Sequence, residues 1–360
     1  MGSYSGSTCI FFHLGSSFPS PGQVQQGGNV IYGPLYAVLL SALLLYSAEA
    51  AAGIEKIGIG SRAIGMGTAF VSIADDASAV YWNPAGIAMS VSDSAQINRQ
   101  LSLMYSPLYG LSYLKHKFIA YTQDRLLPNR YFGSLGFGIV ELDLSPNADD
   151  FQSLSYTEDT FLVCWAYSFS LRPIFQRFSL GATFKYFNIR TAKNAFGYGG
   201  DFGFLGRHSF KLGSWALDFR LGGSVQDFGK SSLWYSGSYS PARQEFVEPS
   251  YRCGIALGLR RESSNFSHLL VSAELHRRDK YALDNTAAIL GAEVSLLSGF
   301  DLRLGVQDIE APRYAFGVGL VIPNSIVSGS FLAIDIALMT HPDLNNTLAF
   351  SLSLFGGGNR

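Results

Sequence analysis

The chain has 360 residues, 15% of them charged and 14% aromatic, with 39 glycines; that length fits one large barrel as well as two soluble domains. A net charge of -1 with no basic stripe excludes phosphate-backbone recognition, so nucleic acid is not an expected partner. Sparse charge with abundant Phe and Tyr suits short strands that carry an apolar face and aromatic girdles.

Residues 1–52 read as a leader. Up to about residue 29 the sequence is rich in Ser, Gly and Gln, which suggests low complexity and a translation start placed too early. The apolar run Ile31–Tyr46 precedes Ala48-Glu49-Ala50, a small-x-small pattern that fits signal-peptidase cleavage. No Lys or Arg precedes Lys56, so the usual positive n-region is missing. The rival reading is a single spanning helix, but the run is short of the roughly 20 residues a span needs and contains Pro34. Cys9 would leave with the leader. Cys164 and Cys253 fall on separate predicted strands without metal-ligand spacing, and read as buried or lipid-facing thiols.

Residues 53–91 form the next unit, centred on Gly58–Met89, which is dense in Gly and Ala. Asp75, Asp76 and Asn83 can each cap a short helical turn, and Pro84 suits the first position of one. An ordinary Gly-rich strand and loop is the plainer alternative. The passages Ser61-Arg62-Ala63-Ile64-Gly65-Met66-Gly67 and Ala74–Ala88, the latter closing on Trp82-Asn83-Pro84-Ala85-Gly86, resemble the N-terminal signature of the FadL superfamily of outer-membrane proteins. More narrowly they resemble its PorV/PorQ-like branch and related spirochaete-type members. The resemblance implies that this segment is a hatch plugging a barrel lumen through Asn83, Pro84 and Ala85. Arg62, Gly65, Gly67, Asp75, Asp76 and Trp82 of the same stretch are the accompanying hatch or gate candidates. Beyond these residues the likeness lies mainly in the strand pattern.

Residues 92–360 switch to a period of two and contain about fourteen strand-like runs. They centre on Ala95–Tyr105, Leu108–Tyr121, Tyr131–Leu142, Asp159–Ser170, Phe178–Arg190, Tyr198–Leu205, Trp215–Gln226, Tyr251–Arg261, Ser267–Arg277, Thr286–Leu297, Phe300–Asp308, Tyr314–Ile322, Phe331–Met339 and Thr347–Phe355. In the run from Trp215, Trp215, Leu217, Phe219 and Leu221 share one face, while Ala216, Asp218, Arg220 and Gly222 share the other. A soluble sandwich would bury the apolar face. A membrane barrel turns it toward lipid and points the charges into a lumen.

The leader, an even strand number and the lack of a long helix after Met89 favour the barrel, because strands in lipid need closure. The expected fold is therefore an all-β transmembrane antiparallel β-barrel of about 14 strands with an N-terminal hatch inserted in the lumen, in the bacterial outer membrane. With both termini at the periplasmic end, turns after even strands should be short, as at Leu297-Ser298-Gly299. Loops after odd strands can be long, as at Ser145–Glu158 and Asp227–Ser250. The last strand, Leu348–Phe355, has the aromatic alternation that the barrel assembly machinery reads. Gly356–Arg360 follow it and depart from the usual terminal aromatic.

Catalytic chemistry is not expected. His116, His208, His268, His276 and His341 are scattered, with neither a nucleophile-elbow context nor a helical metal spacing. Gly65-Met66-Gly67 lacks the strand and long helix of a dinucleotide site. The expectation is no enzyme, no cofactor and no metal.

On the lumen-facing parity stand Lys185, Asp218, Arg220, Arg260, Glu274, Glu293, Asp301, Arg303 and Asp335. They either pair to hold the hatch, since unpaired charges in a narrow lumen are costly, or line a substrate route. The FadL resemblance implies uptake of hydrophobic molecules such as long-chain fatty acids, with outer-membrane lipid as surroundings and a sideways exit through the barrel wall. Phe228, Leu233, Trp234, Tyr235 and Tyr239 in the longest outer loop are ligand-capture candidates, with girdle residues as the alternative reading. The PorV-like likeness implies a second function, a secretion-system subunit or platform that binds secreted proteins. A general diffusion porin is disfavoured, because the lumen parity is rich in Gly, Ala and Ser rather than rings of charge.

Overall fold

In a computed structural model of the chain, the described residues are 58–89, 97–124, 132–145, 155–191, 194–235, 244–261, 266–277, 286–296, 299–309, 311–323 and 330–357. The leader reading with Cys9, most of the turn at Leu297-Ser298-Gly299, and Tyr239 fall outside them.

Among the described residues, sixteen strands follow in chain order. They are β1 Ile97–Pro107, β2 Leu114–Gln123, β3 Ser134–Leu144, β4 Tyr156–Leu171, β5 Phe175–Arg190, β6 Ala195–Leu212, β7 Trp215–Gln226 and β8 Ser231–Tyr235. The rest are β9 Gln244–Val247, β10 Ser250–Arg261, β11 Phe266–Arg277, β12 Thr286–Leu296, β13 Phe300–Ile309, β14 Ala311–Pro323, β15 Phe331–Met339 and β16 Thr347–Gly357. Pairing runs from β5 back to β1, across to β16, down to β10 and on to β7 and β6. The β5–β6 pairing then closes the ring, which has 14 antiparallel strands. Each expected run overlaps one ring strand. Closure pairs both edges of every ring strand, the condition for a sheet to stand in lipid.

Two elements differ from the sequence reading. β6 runs from Ala195 to Leu212, well past Tyr198–Leu205, because glycines at 197, 199, 200, 203 and 206 erase the apolar alternation that marks a strand. Asp227–Ser250 is not a plain loop. It holds the β8–β9 hairpin, whose first strand pairs with Ala195–Tyr198 of β6 and extends the wall. Five-residue and four-residue strands are too short to show a period. Arg172–Ile174 and Gly213–Ser214 are tight connections after even strands, as expected. One tight reversal follows an odd ring strand: Ile309 of β13 pairs directly with Ala311 of β14.

The faces are inside out relative to a soluble sheet. Along β14, Tyr314, Phe316, Val318, Leu320 and Ile322 are 41 to 53% exposed, and the intervening positions are small. Such apolar side chains, worth about 1.5–3 kcal/mol each when removed from water, form a belt around the ring. Cys253 lies on this exposed face and Cys164 on the buried one. Among the described residues no helix is long and apolar enough to cross a membrane.

The buried face surrounds Gly58–Met89. This segment forms α1 (Ser61–Gly65), α2 (Ala79–Trp82) and a 3-10 turn at Pro84–Ala88. Helices this short do not stand alone. Ile59, Ile64, Met66, Phe70, Ile73, Val80, Trp82 and Ile87 share one apolar cluster with Met104, Phe118, Leu162 and Leu270 of the wall. Asn83, in extended backbone, accepts from Ala85 N at 3.2 Å and caps the turn that Pro84 opens.

Candidate functional site

The segment meets the wall backbone to backbone. A Cβ built on Gly305 would lie 2.1 Å from Gly67 N, and one on Gly203 would lie 2.1 Å from Asn83 Oδ1, so only glycine fits at either place. Around these contacts wall side chains take up the orphan carbonyls of the short helices. Ser179 donates to Ala85 O (2.6 Å), Thr183 to Val80 O (3.1 Å), Ser224 to Trp82 O (3.0 Å) and Gln226 to Tyr81 O (2.6 Å). Asn83 Nδ2 donates to Val71 O within the segment (2.8 Å) and to Phe204 O of β6 (2.9 Å). Trp82 donates to Ile59 O (2.9 Å), with the Arg252 guanidinium 4.8 Å above its ring.

Charge pairing converges on Arg62. It is bidentate to Glu293 of β12 (2.8 and 3.0 Å) and reaches Asp75 (2.6 Å) and Asp76 (3.4 Å) within the segment. Asp75 also pairs with Arg220 of β7 (2.9 Å). Behind Glu293, Arg303 joins Glu293 (2.7 Å), Asp335 (2.6 Å) and Asp301 (3.1 Å). On another wall, Glu274 accepts from Phe70 N (2.8 Å) and Val71 N (2.9 Å), and pairs with Arg252. Desolvation pushes the Asp75 carboxyl up, but Arg62 and Arg220 outweigh it and hold the group down at about 2. Asp76, where desolvation prevails over Arg62 and Ser78, is raised.

Of the lumen-parity charges, Arg220, Glu274 and Glu293 touch the segment, while Arg303, Asp301 and Asp335 buttress Glu293. Lys185 and Asp218 instead pair within the wall, with Asp201 and Asp227 (2.7 and 3.1 Å) and with Arg207 (2.7 Å). Arg260 shares the parity but is exposed at the end of β10. Gly65 faces Gly317 of β14. Arg252, Ser179, Thr183, Ser224 and Gln226 were not singled out by sequence. Their signal was a polar side chain on the same parity as the wall glycines.

The capture candidates do not form one surface. Phe228 is 61% exposed, but Leu233 is 1% exposed in a small core with Phe187, Ile189, Ala195 and Val247, because β8 pairing turns it inward. Trp234 stacks on exposed Phe196 with centroids 5.8 Å apart, as a girdle residue would, and Tyr235 ends β8. A cavity of about 180 Å³ against the segment is lined by charged residues, Arg62, Asp76, Glu293, Arg303 and Asp335, together with Val321, Ala333 and Phe355. A sideways exit needs a gap in the wall. Among the described residues every neighbouring ring pair is bonded, and the register shifts lie near strand ends at Ile97/Arg99, Phe169/Leu171 and Phe266/His268. Among the described residues no group of three or more His, Cys, Asp and Glu is placed to hold a metal ion.

Replacing Arg62 by Ala should cost about 2–3 kcal/mol, below the roughly 3–5 of a fully buried pair, because Glu293 keeps Arg303 and Asp75 keeps Arg220. Denaturant midpoints of refolded protein at pH 7 measure this. Acid should act differently. A depressed carboxyl contributes stability above the ordinary carboxylate range and loses it only as pH falls through the folded value, near 2 for Asp75. The Asp75 tie should therefore survive pH 5; release at pH 5 would contradict the pairing.

No protein-family model matches the sequence, and no curated protein does. Solved structures do resemble it. The CymD monoaromatic hydrocarbon channel matches with a TM-score of 0.46 at 10% identity, over 84% of this chain and 98% of that one. The P. putida toluene transporter TodX matches with 0.45 at 11% identity, over 84% and 99%. A Pseudomonas aeruginosa FadL homologue matches with 0.45 at 13% identity, over 85% and 100%.

Proposed function

We propose that this chain is an outer-membrane channel for hydrophobic molecules, with Gly58–Met89 as its hatch and long-chain fatty acids as the candidate ligands. The observation that carries the reading is a closed ring with an apolar outward belt, whose lumen holds a segment fastened by polar ties such as Arg62 to Glu293. Ion pairs and hydrogen bonds can be exchanged for water one at a time, which suits a hatch better than a wholly apolar plug does. Outer-membrane lipid surrounds the belt, and the assembly machinery reads β16.

A second reading, a platform that binds secreted proteins, draws support from the continuous bonding of the ring wall, which shows no lateral gap among the described residues. Oleate titration of the detergent-solubilised barrel separates the two. Saturable binding, weakened roughly tenfold in Kd when Phe228 is replaced by Ser (about 1.4 kcal/mol of lost apolar contact), supports uptake. Absence of binding, with secreted proteins retained on the purified barrel, supports the platform and sinks the channel.

A further inference from the structure

Where β8 and β9 extend the wall, one buried ammonium faces two buried carboxylates. Lys185 Nζ lies 2.7 Å from Asp201 Oδ1 and 3.1 Å from Asp227 Oδ1. Asp201 Oδ1 also accepts from Asp227 N (2.8 Å), and Asp227 Oδ1 accepts from Ser231 Oγ (2.9 Å). Glu158, buried and within electrostatic reach of Asp227, accepts from the neutral Tyr156 hydroxyl at 2.9 Å. Asp159 beside it is answered separately by Arg190 at 2.9 Å. Asp201 and Asp227 therefore converge on one ammonium in a place that is expensive to charge.

The second observation is independent of that count. Asp201 Oδ2 and Gln226 Oε1 are buried acceptors with no hydrogen-bond partner, on residues 0% and 1% exposed. The register pairs Phe202 with Val225, so Asp201 and Gln226 stand opposite each other on the next rung, both toward the buried side. Side chains so placed have Cβ atoms about 5 Å apart, close enough for their oxygens to share one ion. The amide of Gln226 is oriented, since its Nε2 donates to Tyr81 O at 2.6 Å.

We propose that Asp201 Oδ2 and Gln226 Oε1 together bind a monovalent cation, of which sodium is the type. A divalent ion would need a cage of several carboxylates, and no such trio occurs among the described residues. A monovalent ion accepts one carboxylate with amide and other neutral oxygens. Through Gln226 the site also touches the Tyr81 carbonyl, so an ion there ties α2 of the segment to β6 and β7. The proposal does not depend on what the barrel transports.

The test is thermal unfolding of the full chain in detergent at pH 7.5, in sodium, potassium or N-methylglucamine chloride at equal ionic strength. Sodium should raise the midpoint saturably, by about 3–8 °C at a hundredfold excess over Kd, and Asp201→Asn and Gln226→Met should each abolish the rise. Equal midpoints in all three salts would overturn the proposal from the wild type alone, should either variant fail to fold. So would a sodium effect retained in both variants. A more stable Asp201→Asn with no ion dependence would overturn it too, and would mean that a proton, not a cation, answers Asp201 Oδ2.

Discussion

Deletion of residues 61–88 is expected to leave a barrel that still inserts but conducts. The wall does not rely on the segment for its own closure: β1 pairs with β16 over Ile97–Tyr105, β5 with β6 over Arg177–Ile189, and every other ring neighbour is bonded. What the deletion exposes is a lumen of small residues, with Glu274, Glu293 and Arg303 now open to water. Hydrated charges cost far less than buried ones, so the lumen should fill with solvent rather than collapse. Heat-modifiable migration on gels should persist. Planar bilayers should show steady conductance where the full chain is silent. Loss of the folded barrel would instead make Gly58–Met89 an indispensable part of the core, and the gate reading would fail.

Gly305→Leu should open the same path without removing a residue. Any side chain there meets Gly67 N at 2.1 Å and Met66 C at 2.2 Å. Backbone on that side cannot simply retreat, because α1 is held by Ser61 N to Ser351 Oγ (2.9 Å) and by Arg62 to Glu293 (2.8 Å). The cost should reach or exceed the roughly 1–3 kcal/mol of an overpacked core, about the size of the Arg62 tie, and the cheapest relief is to push α1 off β13. We expect conductance approaching that of the deletion, with migration on gels unchanged. Gly200→Ala is the matched control. Its Cβ would meet only Thr183 O at 3.4 Å, ordinary contact, so its effect should stay within about 0.5 kcal/mol. A silent Gly305→Leu would mean that the segment does not rest on β13.

Much of the wall was legible as sequence, and the places where it was not have physical causes. Period two is enforced by the difference between the apolar outer face and the buried inner one, so strands such as Trp215–Gln226 announce themselves. β6 showed only its middle, Tyr198–Leu205, because its glycines interrupt the alternation, and β8 did not show at all, because Ser231–Tyr235 spans barely two repeats. Leu233 was read as a surface residue for the same reason. Its partner strand, and hence its inward direction, cannot be inferred from a stretch of that length.

The charges divided along a similar line. By itself the sequence determined the existence of the fourteen ring strands and which parity each charge occupies, since both follow from local alternation. It marked Asn83-Pro84 as a capped turn from residue chemistry alone. Only the tertiary structure decided that Arg62 reaches Glu293 and not another carboxylate, that Lys185 turns to Asp201 and Asp227 rather than to the segment, and that Gly305 and Gly203 are bare because Gly67 and Asn83 lie against them. Parity places a side chain on a face. Which neighbour it meets across the lumen depends on ring closure and strand stagger, which join residues as far apart as Ser61 and Ser351 and leave no trace in local order.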